Sequence, residues 1–279
     1  MRQPVRTISM LLLPVFLLYI AYAGAMYNGQ SSILFPAAKN GRQLAAALPA
    51  GAERVEIPVS FGRARAVYWR PRDVTTPVAA VWYAHGNYET VEDSFAMLQP
   101  LVARNIAVLQ YEYPGYDGND GAPRFEAIRE SALATWDWLA KQPDVDAGRM
   151  VAIGYSIGGG PAAALTRDRS VRALVLISTF DSMGATAWRH ALPSFLVTFP
   201  YDNLARVSEF GGPVLVVHGR RDGVIPFAAG RHLVAASKQA TFVPLECGHA
   251  DCDPIHIIYD REVPNALTAW GIIDAADRR

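Results

Sequence analysis

Six short, mostly apolar runs constrain this chain more than any other feature: residues 78–84 (VAAVWYA), 106–113 (IAVLQYEY), 150–155 (MVAIGY), 171–178 (VRALVLIS), 213–219 (PVLVVHG) and 240–246 (ATFVPLE). A strand that alternates apolar and polar residues keeps one face wet, whereas a strand that is apolar throughout is buried on both faces. Between the runs lie segments with helical spacing: about 91–104, from Pro123, after Ser156, from near Pro226, and about 254–270. This alternation predicts a doubly wound α/β domain, a mostly parallel central sheet with helices on both faces. Upstream, residues 55–59 and 65–69 do alternate, and 60–63 between them reads as a turn, so an antiparallel hairpin is expected to lead into the sheet. Residues 181–209 break the rhythm, mixing Trp188, Phe195, Phe199 and Tyr201 with two prolines, and should form a short cap over the carboxyl edge of the sheet.

With 279 residues, 51% of them hydrophobic, one large core is a better fit than two small ones. Lys plus Arg number 26 and Asp plus Glu number 26, so the chain carries no electrostatic footprint for nucleic acid, which is dropped as a partner. The N-terminus stands apart. Arg2 and Arg6 precede a nearly uncharged apolar run over 8–27, close to the roughly 20 residues that cross a bilayer as a helix. Ala23-Gly24-Ala25 has the small-x-small pattern of a cleavage site, so a retained signal anchor and a removed signal peptide are both open. Either places the remainder outside the cytoplasm, since basic residues hold the extreme N-terminus inside. The expected organisation is therefore an anchor or signal over 1–30, a connector over 31–52 and the α/β domain over 53–279.

Gly154-Tyr155-Ser156-Ile157-Gly158 lies between an apolar strand and a run of small residues suited to a helix start. A serine on such a strand-to-helix turn projects its hydroxyl above the sheet, and glycines beside it let strand and helix approach closely. A hydroxyl is a poor nucleophile until a base takes its proton, so the partners should follow in the order acid, then histidine. Asp222, just past the run 213–219, and His249, just past 240–246, occupy those places. Loops at the carboxyl ends of successive strands converge on one crevice, which lets residues distant in sequence meet. An oxyanion would need two N–H donors: the Ile157 amide, and the Asn87 amide in the loop His85-Gly86-Asn87 after the first parallel strand. Tyr88 and Tyr116 are weaker candidates for substrate contact.

Taken together, GYSIGG, the HGN loop, Tyr113-Pro114-Gly115-Tyr116 followed by Gly118 and Gly121, HGRRDGVIP and CGHAD resemble the BEM46-like branch of the α/β hydrolases, with its ABHD13-type proteins, over nearly the whole chain. That resemblance implies the α/β-hydrolase fold and a serine hydrolase without a cofactor, often membrane associated. Paired cysteines around the histidine depart from it. Cys247, His249, Asp251, Cys252, Asp253 and His256 crowd one loop, but their spacing matches no ordinary zinc site and no metal is expected. For an exported domain a Cys247 to Cys252 disulfide is the better use. The reading is a carboxylic-ester or thioester hydrolase acting on an acyl or lipid-like substrate. A serine peptidase and a non-catalytic envelope binding protein on the same fold are the alternatives.

Overall fold

The computed structural model describes residues 4–36, 47–72, 74–251 and 257–274. Eight strands form one sheet in the order β1-β2-β4-β3-β5-β6-β7-β8. β1 (Ala52–Val59) and β2 (Gly62–Trp69) are the expected hairpin, and β2 runs antiparallel to β4 (Ala107–Tyr111). From there β3 (Val78–Ala84), β5 (Val145–Tyr155), β6 (Ala173–Ile177), β7 (Val214–Gly219) and β8 (Ala240–Leu245) are all parallel. The chain thus has the α/β-hydrolase fold.

The all-apolar strands build two cores, because successive side chains point to opposite faces. Trp82, Leu109, Ala152, Leu174 and Val216 are buried on one face, and Val81, Val108, Val151, Ala173 and Leu215, one residue earlier in each strand, on the other. Helices α3 (Phe125–Leu139) and α4 (Gly159–Asp168) cover the first face; α2 (Phe95–Val102) and the segment 258–269 cover the second. Trp82 shows how the first face closes: it is fully buried, stacks on Tyr111 and donates its indole N–H to Thr135 of α3 (2.9 Å). Truncating such a side chain costs roughly 3–5 kcal/mol.

Differences from expectation are local. The expected helix over 91–104 is a 3-10 turn (Val91–Ser94) followed by α2. The helix expected from near Pro226 is α7 (Phe227–Ala235), and the last one passes, among the described residues, through a π turn at Ile258–Glu262 into α8 (Val263–Ala269). The cap consists of α5 (Met183–Arg189), a 3-10 turn at Ser194–Leu196 and α6 (Asn203–Glu209). Ser182 and Asp202 cap the two helices by accepting from the Ala185 and Ala205 amides, and the same two residues form a bridge that closes the base of the excursion.

The N-terminal helix is longer than the apolar run it contains: α1 spans Pro4–Leu34 without a break, through the Ala23-Gly24-Ala25 site. It ends where Pro36 disfavours helical backbone for the residue before it. The connector placed at 31–52 therefore begins as the last turn of this helix and then enters the core. Phe35 is buried with ring centroids 5.1 Å from Tyr113 and 5.2 Å from Phe199. Among the described residues α1 is the one helix long and apolar enough, by length and composition, to cross a membrane.

Candidate active site

β5 delivers Ser156 at its carboxyl end, where the chain turns through a single 3-10 turn (Ser156–Gly158) into α4. The turn is tight enough to force Ser156 to φ +53°, a left-handed conformation costing a non-glycine residue on the order of 1–3 kcal/mol. Sterics fix the flanking residues. A Cβ on Gly154 would collide with the Gly158 carbonyl, and one on Gly158 with the Ala84 carbonyl of the neighbouring strand. Thr179, just past β6, donates its hydroxyl to the Ser156 carbonyl (2.7 Å) and pins the strained residue.

β7 and β8 deliver the other two side chains. Ser156 Oγ lies 2.9 Å from His249 Nε2, and His249 Nδ1 lies 2.8 Å from Asp222 Oδ2. The three residues named from sequence therefore form one continuous hydrogen-bonded line. The Asp222 carboxylate is fully buried; its other oxygen accepts from the Val224 and Ile225 amides at 2.9 and 2.8 Å. His218 faces it at 3.4 Å. Burial alone would raise this carboxyl, but hydrogen bonds from His218, His249 and the Ile225 amide outweigh burial and hold it far below the usual carboxylate range.

The loop after β3 is braced from below. Tyr116 is buried and its hydroxyl donates to the Asn87 carbonyl (2.7 Å), so this residue supports the loop from behind; Tyr88 is 75% exposed at its rim. Among the described residues, the Asn87 N–H donates to no protein acceptor. Ile157 is buried directly after Ser156 in the turn. Beneath the loop His85 is wholly buried, with Gly86 O on one ring nitrogen and Glu112 Oε1 on the other, each at 2.8 Å. Two acceptors on two ring nitrogens suit an imidazolium. Burial would push its pKa down, but the facing Glu112 carboxylate outweighs that and raises it.

Three supports have no motif that would reveal them: Thr179, Tyr155 and Glu89. Tyr155 stacks on His249 and donates its hydroxyl to the His249 carbonyl (2.9 Å). Glu89 accepts from the Gly86 amide (2.8 Å), and its carboxyl is raised chiefly by burial. Cys247 is buried and is not a free thiol. Cys252, its expected partner, lies outside the described residues, as do Asp253 and His256 of the same loop.

A mostly parallel eight-stranded sheet with a serine on the turn after β5, an acid after β7 and a histidine after β8 defines the α/β-hydrolase class. Rv2307c of Mycobacterium tuberculosis is 31% identical over 225 residues, covering 78% of this chain and 79% of the relative, and the chain belongs to the same family of α/β hydrolases. Residues 118–246 match the dienelactone hydrolase family. WAV2 of Arabidopsis thaliana, an α/β-hydrolase domain-containing protein, is 30% identical over 178 residues, covering 56% of this chain and 57% of the relative. Among solved structures, the Est2 esterase of Thermogutta terrifontis superposes with a TM-score of 0.67 at 17% identity, covering 84% of this chain and 98% of Est2.

Proposed function

We propose that this chain is a serine hydrolase that cleaves a carboxylic ester or thioester of an acyl or lipid-like substrate. One observation carries the reading: the unbroken line of 2.9 and 2.8 Å contacts from Ser156 through His249 to the buried Asp222. His249 Nε2 takes the Ser156 proton as Oγ attacks the substrate carbonyl. The charge that develops on the carbonyl oxygen falls to the Asn87 and Ile157 amides. Asp222 holds the Nδ1–H tautomer and stabilises the imidazolium. Collapse of the tetrahedral species expels the alcohol or thiol, which leaves with the proton from His249. Water, deprotonated by the same imidazole, then releases the acid and restores Ser156. A serine at the elbow does not suit chemistry that needs a carboxylate nucleophile. The aromatic cap and the apolar α1 favour acyl substrates over peptides. The deep depression of the Asp222 carboxyl is what its role requires, since a protonated acid could not orient the imidazole.

The test is hydrolysis of p-nitrophenyl esters and acyl thioesters of graded chain length by the full chain, with fluorophosphonate labelling in parallel. Ser156→Ala should abolish labelling and lower the rate by on the order of 10⁶, as dismantled triads do. A Ser156→Ala protein that hydrolyses at the parental rate would overturn the assignment.

A further inference from the structure

Tyr19 and Tyr22 reach sideways from α1 to the tip of the cap, where their hydroxyls donate to Ala191 O (3.0 Å) and His190 O (2.7 Å). Further along the same helix, the Gln30 side chain donates to Leu196 O (2.6 Å) and accepts from the Thr198 amide (2.8 Å). Between these clamps Ala23 and Met26 pack on Ala187, Leu192 and Val197. The cap is thus fastened along α1 from residue 19 to residue 30, a distance of about 16 Å at helical rise.

Helix length then fixes a depth. A bilayer's hydrocarbon takes up about 20 helical residues. Within Pro4–Leu34, such a stretch starting at Pro4 ends at Ala23, and one ending at Leu34 starts at Val15. Every placement contains Tyr19 and Tyr22. If α1 spans, the cap residues hydrogen-bonded to those tyrosines cannot stand clear of the membrane.

The tip is built for that depth. Residues 12–18 of α1, which the cap leaves uncovered, are exposed and apolar. On the cap, Trp188 is 65% and Phe195 82% exposed, with Arg189 and His190 exposed beside them. Aromatic rings belong at the headgroup level, and an arginine beside them extends its guanidinium to the phosphates. The carbonyls of His190 and Ala191 lie just past the end of α5, where a helix leaves its carbonyls without internal partners. In lipid, water would not be there to bond them; the two tyrosine hydroxyls of α1 do so instead.

We propose that the tip of the cap, residues 188–196, is seated in the same bilayer as α1, with Trp188 and Phe195 as its interfacial anchors. The cap leaves the sheet just after β6, whose last residue Ile177 pairs with Tyr155 beside Ser156, so the edge that carries Ser156 faces the lipid and receives esters whose acyl chain stays in the membrane. The seating rests on α1 being in a bilayer; the substrate consequence rests also on the hydrolase reading.

The experiment uses the full chain in phosphatidylcholine and phosphatidylglycerol vesicles, with an environment-sensitive NBD label at Phe16→Cys, Phe195→Cys or Lys238→Cys and nitroxide-bearing lipids as quenchers. Lys238 is exposed in the turn before β8, at the opposite edge of the sheet. The expected result is blue-shifted, lipid-quenched emission at positions 16 and 195 and water-like emission at 238. Quenching at 16 with water-like emission at 195 overturns the seating and leaves the anchor intact. A blue shift at 195 without lipid quenching means burial against protein, such as a second copy, and also overturns it. No quenching at 16 removes the anchor and the proposal together. For the substrate half, Trp188→Ser should lower kcat/KM for a vesicle-borne long-chain ester and leave that for a soluble short ester unchanged; an equal effect on both overturns it. A chain quenched at 195 but inert towards every ester would sink the hydrolase reading and not the seating.

Discussion

Tyr155 lies against the His249 ring, centroids 5.7 Å apart and planes 26° from parallel, and its hydroxyl donates to the carbonyl of the same histidine at 2.9 Å. The residue before the proposed nucleophile therefore positions the residue proposed as its base. Tyr155→Phe keeps the stack and loses one hydrogen bond, worth about 0.5–1.5 kcal/mol. The expected outcome is a kcat reduced several-fold with KM little changed. A larger loss in Tyr155→Ala would separate stacking from hydrogen bonding; equal effects of the two variants would assign everything to the hydroxyl.

Asp222→Asn keeps the size of the side chain and removes its charge. An amide beside Nδ1 can favour the wrong tautomer, leaving Nε2 unable to accept the Ser156 proton. The expected fall in kcat is on the order of 10⁴, as in another serine hydrolase with the same exchange. Rates within a factor of ten of the parent would remove Asp222 from the mechanism.

His85 and Glu112 give a pH-dependent stability. The imidazole has a raised pKa in the folded chain, against about 6.5 unfolded. A raised value means that the contribution is complete below about pH 6.5 and is lost as pH rises through the folded value. Urea midpoints of the parent should therefore fall from about pH 6.5 upward, and Glu112→Gln should flatten that slope. The same slope in both proteins would show that the pair is not its source.

Phe35 links the N-terminal helix to the proposed oxyanion loop, since its ring contacts Tyr116 (6.3 Å between centroids), whose hydroxyl holds Asn87. Phe35→Ala should destabilise the fold by roughly 3–5 kcal/mol, measured by denaturant unfolding. Removing residues 1–36 should do at least as much; a truncated chain of parental stability and activity would show the helix to be a passive tether.

Much of this was legible in one dimension because it depends on local chemistry. Doubly buried strands must be apolar throughout, so residues 78–84 and 213–219 announced themselves as strands of a covered parallel sheet. A serine between an apolar strand and a small-residue helix start, with Asp222 and His249 past later strands, was enough to name the three side chains that the fold brings into line. The supports were not legible. Thr179 and Tyr155 are ordinary residues whose partners are main-chain carbonyls, and carbonyls leave no trace in sequence. Glu89 acts on an amide in the same way.

By itself the amino-acid order determined the layering of the domain, the turn that strains Ser156 and an N-terminal segment apolar enough to cross a bilayer, since each follows from the water-avoidance or backbone sterics of adjacent residues. Only the tertiary structure decided that this segment lies fastened along the cap and that Phe35 plugs the core beneath the Asn87 loop. The fastening of α1 joins positions more than a hundred and sixty residues apart through tyrosine hydroxyls and main-chain oxygens, and Phe35 reaches Tyr113 and Tyr116 by ring packing; such pairings exist only once the sheet has set the distance between them.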